Sequence, residues 1–402
     1  MRLPHRRQQQ PRHQDVGYSR TVVYSNSDTF ALITQRFGSI AGKVFPYCVA
    51  NVLLSVLLVW LMETRGLDLS IDVFGHEFMS VLVAFLVINK LSFTLGLYYE
   101  MQGHLAKLNQ SALELCQLAC SYTSACLYKD EPEVKAWRFQ IHLHVLILLK
   151  AVVSVLYRGG EISAWEIPEL ADHPLVDLSG VSGVTDQGYI WSSHLKSNKN
   201  LRVPIQLAQR LRNEIVKHRT LFPPGQDPAL DMMQEQALLT CVHDFMEGYH
   251  GIRKYLVAPL PLPLVQLARI FVLVYVYTFP FALLNPQLNL PYTEMIFLTS
   301  LMTYGFIGIE YLYVELDDSF NEDPNDLPLT EEARATAEDI LLTLCQIDGR
   351  AAVEVLQASV DLSLLEGRTS SYKEQDETSY NGTTAATTNA QQSPPKETDP
   401  LV

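Results

Sequence analysis

YGFIGIEYLYVELDDSFNEDPNDLPL, residues 304–329, decides how the rest of the chain is read, because an apolar helical run passes without a break into a cluster of carboxylates. Glu315, Asp317, Asp318, Glu322, Asp323 and Asp326 fall within one turn region, where Phe320 and Pro324 restrict the backbone and Asn325 adds a neutral oxygen. Carboxylates this close repel one another and raise each other's pKa values. A hard cation such as calcium, which takes about six to eight oxygen ligands, would relieve that repulsion. A solvated acidic loop capping the helix that starts near Asp326 is the other reading, and spacing alone leaves both open.

The apolar run feeding this turn, residues 295–314, contains Glu310 as its one charge, and three more blocks resemble it. Residues 45–62 are uncharged, residues 78–97 carry only Lys90, and residues 262–284 carry only Arg269. Each is close to the roughly 20 helical residues needed to cross a hydrocarbon layer of about 30 Å. The chain therefore reads as an all-α membrane protein with four transmembrane helices and a large helical cytosolic region. An even number of spans leaves both termini on one side. Arg2, Arg6, Arg7, Arg12 and Arg20 face only Asp15 in the first twenty residues, and the link between the second and third spans is rich in Lys and Arg. Positive-inside bias places the termini and that link in the cytosol or its equivalent, in a plasma or organelle membrane. No apolar core follows the first arginines, unlike a secretory signal.

Between the spans, residues 101–156 keep a helical pattern. Residues 145–157, VLILLKAVVSVLY, could be mistaken for a further span, but they are short and carry Lys150, so a helix of the cytosolic body is expected. Residues 28–43 read as a short amphipathic helix before the first span. Residues 204–218 and 231–257 read as two helices separated by a proline-rich turn, and APLPLPL stops the second before the third span. A single further helix is expected over residues 330–356. The domain reading is a basic polar segment 1–27, a channel-like domain 28–330, a helical segment 331–366 and a disordered tail 367–402.

Several function classes recede. The net charge of −14 offers no basic face for nucleic acid. No metalloprotease HExxH, nucleophile elbow or phosphate-cradling glycine loop is present, so an enzyme is not expected. Cys116 and Cys120 lie one helical turn apart and read as buried thiols rather than a metal pair. His142 and His144, two residues apart, point to different helix faces.

The closing segment resembles the signature of the bestrophin family of anion channels, in which the fourth span runs into Pro-Phe-Gly-x-Asp-x-Asn-Asp-Leu-Pro-Leu. Ser319, Phe320, Asn321, Asp323, Asn325, Asp326, Leu327, Pro328 and Leu329 stand at those positions, with Ser319 and Asn321 as departures. RFGSIAGKVFP before the first span, the second span with its exit LYYEMQGHLAKLNQSALEL, and VLILLKAVVSVLYR agree with it, so the resemblance covers about residues 20–330. It implies a homopentamer around a central pore whose apolar neck is one face of the second span. Alignment through Leu97, Tyr98 and Tyr99 puts Val81, Phe85 and Asn89 at the neck positions; Asn89 departs from the family's usual apolar ring. Lys90 and Arg269 are candidates for an anion pathway or gating role, since ionisable groups at membrane depth are expensive. In animal members a calcium clasp follows the fourth span; its positions here are Glu315, Asp318, Asp323 and Asp326, completed by a backbone carbonyl from the amino-terminal region. The implied function is passive conduction of chloride and other small monovalent anions such as bicarbonate, with calcium as a regulatory ion. A secondary transporter or a non-conducting membrane scaffold remains the alternative.

Overall fold

The computed structural model describes residues 29–35, 38–125, 130–157, 203–221, 230–257, 260–317, 319–320 and 325–360. Among these the chain is helical: α1 (Thr29–Thr34), α2 (Ala41–Arg65), α3 (Val73–Ser124), α4 (Pro132–Tyr157), α5 (Val203–Leu221), α6 (Met232–Val257), α7 (Leu262–Leu283), α8 (Tyr292–Asp317), α9 (Leu329–Asp348) and α10 (Arg350–Ser359). Residues 1–27 and the tail 367–402 lie outside the described residues.

Two expected elements divide differently. Residues 28–43 do not form one helix, because Gly38 adopts φ 74° between α1 and α2, a left-handed conformation that breaks helical hydrogen bonding. Residues 330–356 split into α9 and α10 at Gly349, φ 81°. A third element is longer than expected. The second apolar block and the amphipathic segment after it form one helix of 52 residues, started by the Asp72 side chain accepting the Phe74 N–H at 3.2 Å. At about 1.5 Å per residue α3 is about 78 Å long, enough to serve two layers of the molecule.

Among the described residues, five helices are long and apolar enough to cross a membrane. In α2, α3, α7 and α8 only 22–28% of the most apolar window is buried, whereas in α4 the share is 89%. The first half of α3 packs with α2, α7 and α8 around Val44, Val83, Val87, Val272, Tyr275, Val276 and Ile307. This bundle also contains buried polar contacts. Asn51 of α2, fully buried, donates its amide to the Val276 carbonyl of α7 at 3.0 Å and to Thr303 Oγ1 of α8 at 2.8 Å. In an apolar solvent such contacts hold helices together where hydrophobic burial cannot.

The second half of α3 enters a separate core with α4, α5, α6, α9 and α10, built on Leu105, Leu108, Leu115, Ile141, Leu146, Leu149, Val242 and Ile340. Among the described helices, α3 packs most extensively on α6. A Cβ at Gly248 would lie 2.7 Å from the His104 carbonyl oxygen, so glycine is needed there, while one at Gly251 would lie 2.4 Å from the His104 ring, which would have to move. Residues 145–157 are the centre of this core, as a buried body helix rather than a lipid-facing one. Arg138 of α4 and Asp348 of α9, both nearly inaccessible, form a two-pronged ion pair. Beside it, His142 is fully buried; its Nδ1 lies 2.8 Å from the Arg138 carbonyl and its Nε2 lies 3.6 Å from Cys120 Sγ. His144 likewise turns back on its own helix, at the Gln140 carbonyl. Cys116, Cys120 and Cys241 are buried free thiols, and burial pushes Cys120 up to about 12.

Burial depresses His142 from 6.5 to about 4. The native state therefore excludes a proton that the unfolded chain binds below about 6.5, so stability is highest above that pH and falls as pH drops towards 4. The loss saturates on the order of 3 kcal/mol. Thermal unfolding of the detergent-solubilised protein is expected to show a falling melting temperature across this window, and His142→Gln is expected to flatten that part of the curve; an unchanged slope would remove His142 as its source.

Candidate functional site

The first half of α3 has two sharply different faces. Val83, Val87, Lys90 and Thr94 are buried against α7 and α8, while Phe78, Val81, Phe85, Ile88 and Asn89 are exposed. Val81 is 70% and Phe85 63% accessible, and the four-residue steps from Val81 to Phe85 to Asn89 align all three on one side of the helix. Their side chains contribute nothing to the bundle's own core. The Asn89 amide donates one hydrogen to the Phe85 carbonyl at 2.9 Å. An amide has two donors, so this contact uses half of them.

Lys90, the next residue, is turned the other way. It is 5% exposed, and its ammonium lies 2.7 and 2.8 Å from the two carboxylate oxygens of Glu310 on α8. It also sits 3.6 Å above the centre of the Tyr313 ring, where the ring quadrupole attracts a cation. Arg269 of α7 donates Nε to the same Glu310 at 2.9 Å. Glu310 is itself 8% exposed, so its charge is held almost entirely by these two cations. Lys90 is thus placed behind the exposed face of α3 rather than on it, and joins Arg269 through a carboxylate. The three charges sum to one net positive charge about two turns from the carboxyl end of α8. Periodicity finds Lys90, Arg269 and Glu310 individually, but no local pattern joins residues that are 41 and 220 positions from their partner.

At the end of α8, the acidic turn is partly described. Glu315 is nearly buried; Oε1 accepts from Lys43 Nζ of α2 at 2.6 Å, and Oε2 accepts from Asn325 Nδ2 at 2.8 Å. The same Asn325 nitrogen donates to the Gly38 carbonyl at 3.1 Å. Both neighbours are pure acceptors, so the amide nitrogen must be the atom facing them. Asp326 is 3% exposed, and Phe320 and Leu327 insert into the core of the helical body. The Ser319 carbonyl accepts the Leu327 N–H at 3.0 Å and closes the turn. Asp318 and Asp323 lie outside the described residues. Of the expected clasp positions, the structure brings Glu315 to the Gly38 carbonyl, and it adds a residue that spacing did not single out, Lys43. The available signal was a lysine in the first turn of α2, against the helix dipole.

One further cluster, His243, Asp244 and Glu247 of α6, has ligand-type atoms within 4.8 Å of one another. Lys107 of α3 already offsets part of its charge, 3.4 Å from Asp244 and 2.7 Å from Glu247.

With this arrangement in view, residues 192–341 match the family model described as bacterial/fungal bestrophin protein. No curated protein matches the chain. Among solved structures, two crystal structures of a bacterial bestrophin homologue from Klebsiella pneumoniae, each with one substitution, share the fold at 16% sequence identity. One superposes with a TM-score of 0.57 over 75% of this chain and 99% of the homologue, the other with 0.55 over 74% and 98%. The chain thus has, among its described residues, an all-helical fold like that of the bacterial homologue, and over residues 192–341 it is similar to the bestrophin family model.

Proposed function

We propose that the chain is a bestrophin-type anion channel, a homopentamer in which α2, the first half of α3, α7 and α8 cross the membrane and both termini lie on the cytosolic or equivalent side. The observation that carries this reading is the exposed apolar face of α3. Val81 and Phe85 are large, apolar and turned out of their own bundle, which is the arrangement a neck helix needs before five copies surround an axis. In the assembly Val81, Phe85 and Asn89 form three stacked rings. Rings of apolar side chains gate by dewetting, and an ion that passes them must shed part of its water, so weakly hydrated monovalent anions are favoured. The Phe85 ring edge carries the positive part of the aromatic quadrupole and can face an anion without a formal charge. Asn89 keeps one amide hydrogen for the pore after its bond to Phe85, which lowers the dehydration cost at that level and keeps the ring wetter than an apolar one.

The Lys90–Glu310–Arg269 triad supports the same reading in two ways. It fixes the rotation of α3 about its axis, because Lys90 can reach Glu310 only when Val81 and Phe85 face away from the bundle. It also sets two cations against one carboxylate, and the excess positive charge lowers the energy of a nearby anion and raises that of a cation. Lys90 and Arg269 act as positioning and field residues in this scheme, and conduction of chloride or bicarbonate is passive.

In planar bilayers under a potassium chloride gradient, the purified protein is expected to pass a current that reverses near the chloride equilibrium potential; a reversal near the potassium potential would overturn the reading. Phe85→Ala is expected to increase current severalfold and shift the preference among anions, and wild-type currents with wild-type selectivity would remove Phe85 from the neck. Glu310→Gln leaves two cations without their shared carboxylate. It is expected to cost about 3 kcal/mol, seen as a lower melting temperature in detergent, with a melting temperature equal to wild type as the contrary result.

A further inference from the structure

We infer that Glu77 of α3 sets the direction of flow: in the pentamer it adds a ring of five carboxylates above Val81, and the pore passes anions more readily outward from the side of the helical body than in reverse. The inference rests on the channel reading and deepens it.

Glu77 lies four residues before Val81, so it extends the column of Val81, Phe85 and Asn89 by one turn towards the start of α3. At about 1.5 Å per residue, its Cα is about 6 Å beyond that of Val81 along the helix. The residue is exposed, and its carboxylate has no partner among the described residues. The Ser80 hydroxyl donates to the Glu77 backbone carbonyl at 2.6 Å and leaves the side chain untouched. Its neighbour His76 is turned the other way, with its ring stacked on Tyr275 at a centroid distance of 4.4 Å and its Nε2 3.3 Å from the Tyr275 carbonyl oxygen. Lys90, the one lysine of the first half of α3, also points away from this face, to Glu310.

The charges at this end of the bundle have the same sign. The α2–α3 and α7–α8 connections meet here, where the Ile71 N–H donates to the Phe281 carbonyl near the end of α7 at 3.2 Å. Residues 63–77 and 284–294 are all described, and they carry Glu63, Asp68, Asp72, Glu77 and Glu294 against Arg65 and the stacked His76. Five carboxylates therefore face one guanidinium. The start of a helix ordinarily favours an anion, but the Asp72 side chain accepts the Phe74 N–H at 3.2 Å and already meets that partial charge. Nearer the body, the two cations Lys90 and Arg269 outweigh Glu310.

A field that is negative at one mouth and positive towards the other is asymmetric for a permeating anion. The local anion concentration changes about threefold for each kT of mouth potential. Anions are thus depleted at the Glu77 end and enriched at the body end, and flux driven from the body side draws on the richer pool. Glu77 has the largest share in this effect because its register puts it on the column that lines the neck, whereas the other carboxylates belong to α2, α8 or the α2–α3 connection.

The test is single-channel recording of the purified full-length protein in planar bilayers with equal potassium chloride on both sides, reading the ratio of currents at equal and opposite voltages. Wild type is expected to rectify about two- to threefold at about 0.1 M salt, where the Debye length is about 10 Å, and far less at about 1 M, where it is about 3 Å. Glu77→Gln is expected to lose most of the low-salt rectification. Glu294→Gln, at the same end but on α8, is expected to keep it. In Glu77→Cys, a negatively charged methanethiosulfonate reagent is expected to restore the ratio from one chamber only, with that chamber as the poorer source of anions and wild type unaffected by the reagent. Equal rectification in wild type and Glu77→Gln would overturn the inference and leave the channel reading standing, as would an equal loss in Glu294→Gln. Absence of current in wild type, or a current carried by potassium under a salt gradient, would overturn the anion-channel reading and this inference with it.

Discussion

The arrangement of the apolar bundle turns on one carboxylate. Glu310 receives an ammonium from α3 and a guanidinium from α7 while it sits on α8, so three of the four bundle helices meet at a single buried charge. An unpaired charge at that depth would be far more costly than any loss of side-chain packing. The pairing is consequently strong as a constraint even where its net contribution to stability is small. It sets the rotation of α3, and through that rotation it decides which residues of the helix are covered and which remain outside. The exposed Val81 and Phe85 and the buried Val83 and Val87 are two results of one geometric condition.

The second organising feature is the length of α3. A helix of 52 residues cannot be buried in one environment, and its two halves meet different ones. The first half keeps an apolar face open. The second packs so closely on α6 that a Cβ at Gly248 would meet the backbone of α3. A single helix shared by both parts joins the body to the bundle without an intervening loop.

The acidic turn shows how far charge patterning can be read locally. A dense run of carboxylates shows that the turn needs compensating charge, but not where that charge comes from. Lys43 is 272 residues from Glu315 and belongs to a helix start that has no acidic residue of its own. Only the fold brings the two helix ends together and sets an ammonium against the Glu315 carboxylate.

The sequence by itself determined the class of the protein: uncharged or singly charged apolar blocks of membrane length, and a signature segment after the last block. It also placed Val81, Phe85 and Asn89 on one side of a helix, because a four-residue step is a local property of helical geometry. The tertiary structure decided the rest. It separated α4, 89% buried in its apolar window, from four helices of similar composition that are mostly exposed, a difference set by neighbours rather than by residues. It turned Lys90 away from Asn89 and towards Glu310, and it joined Gly38, Lys43, Glu315 and Asn325 across most of the chain's length. Helical periodicity acts over a few residues, whereas ion pairing and burial depend on distances in space, and only the folded chain defines those.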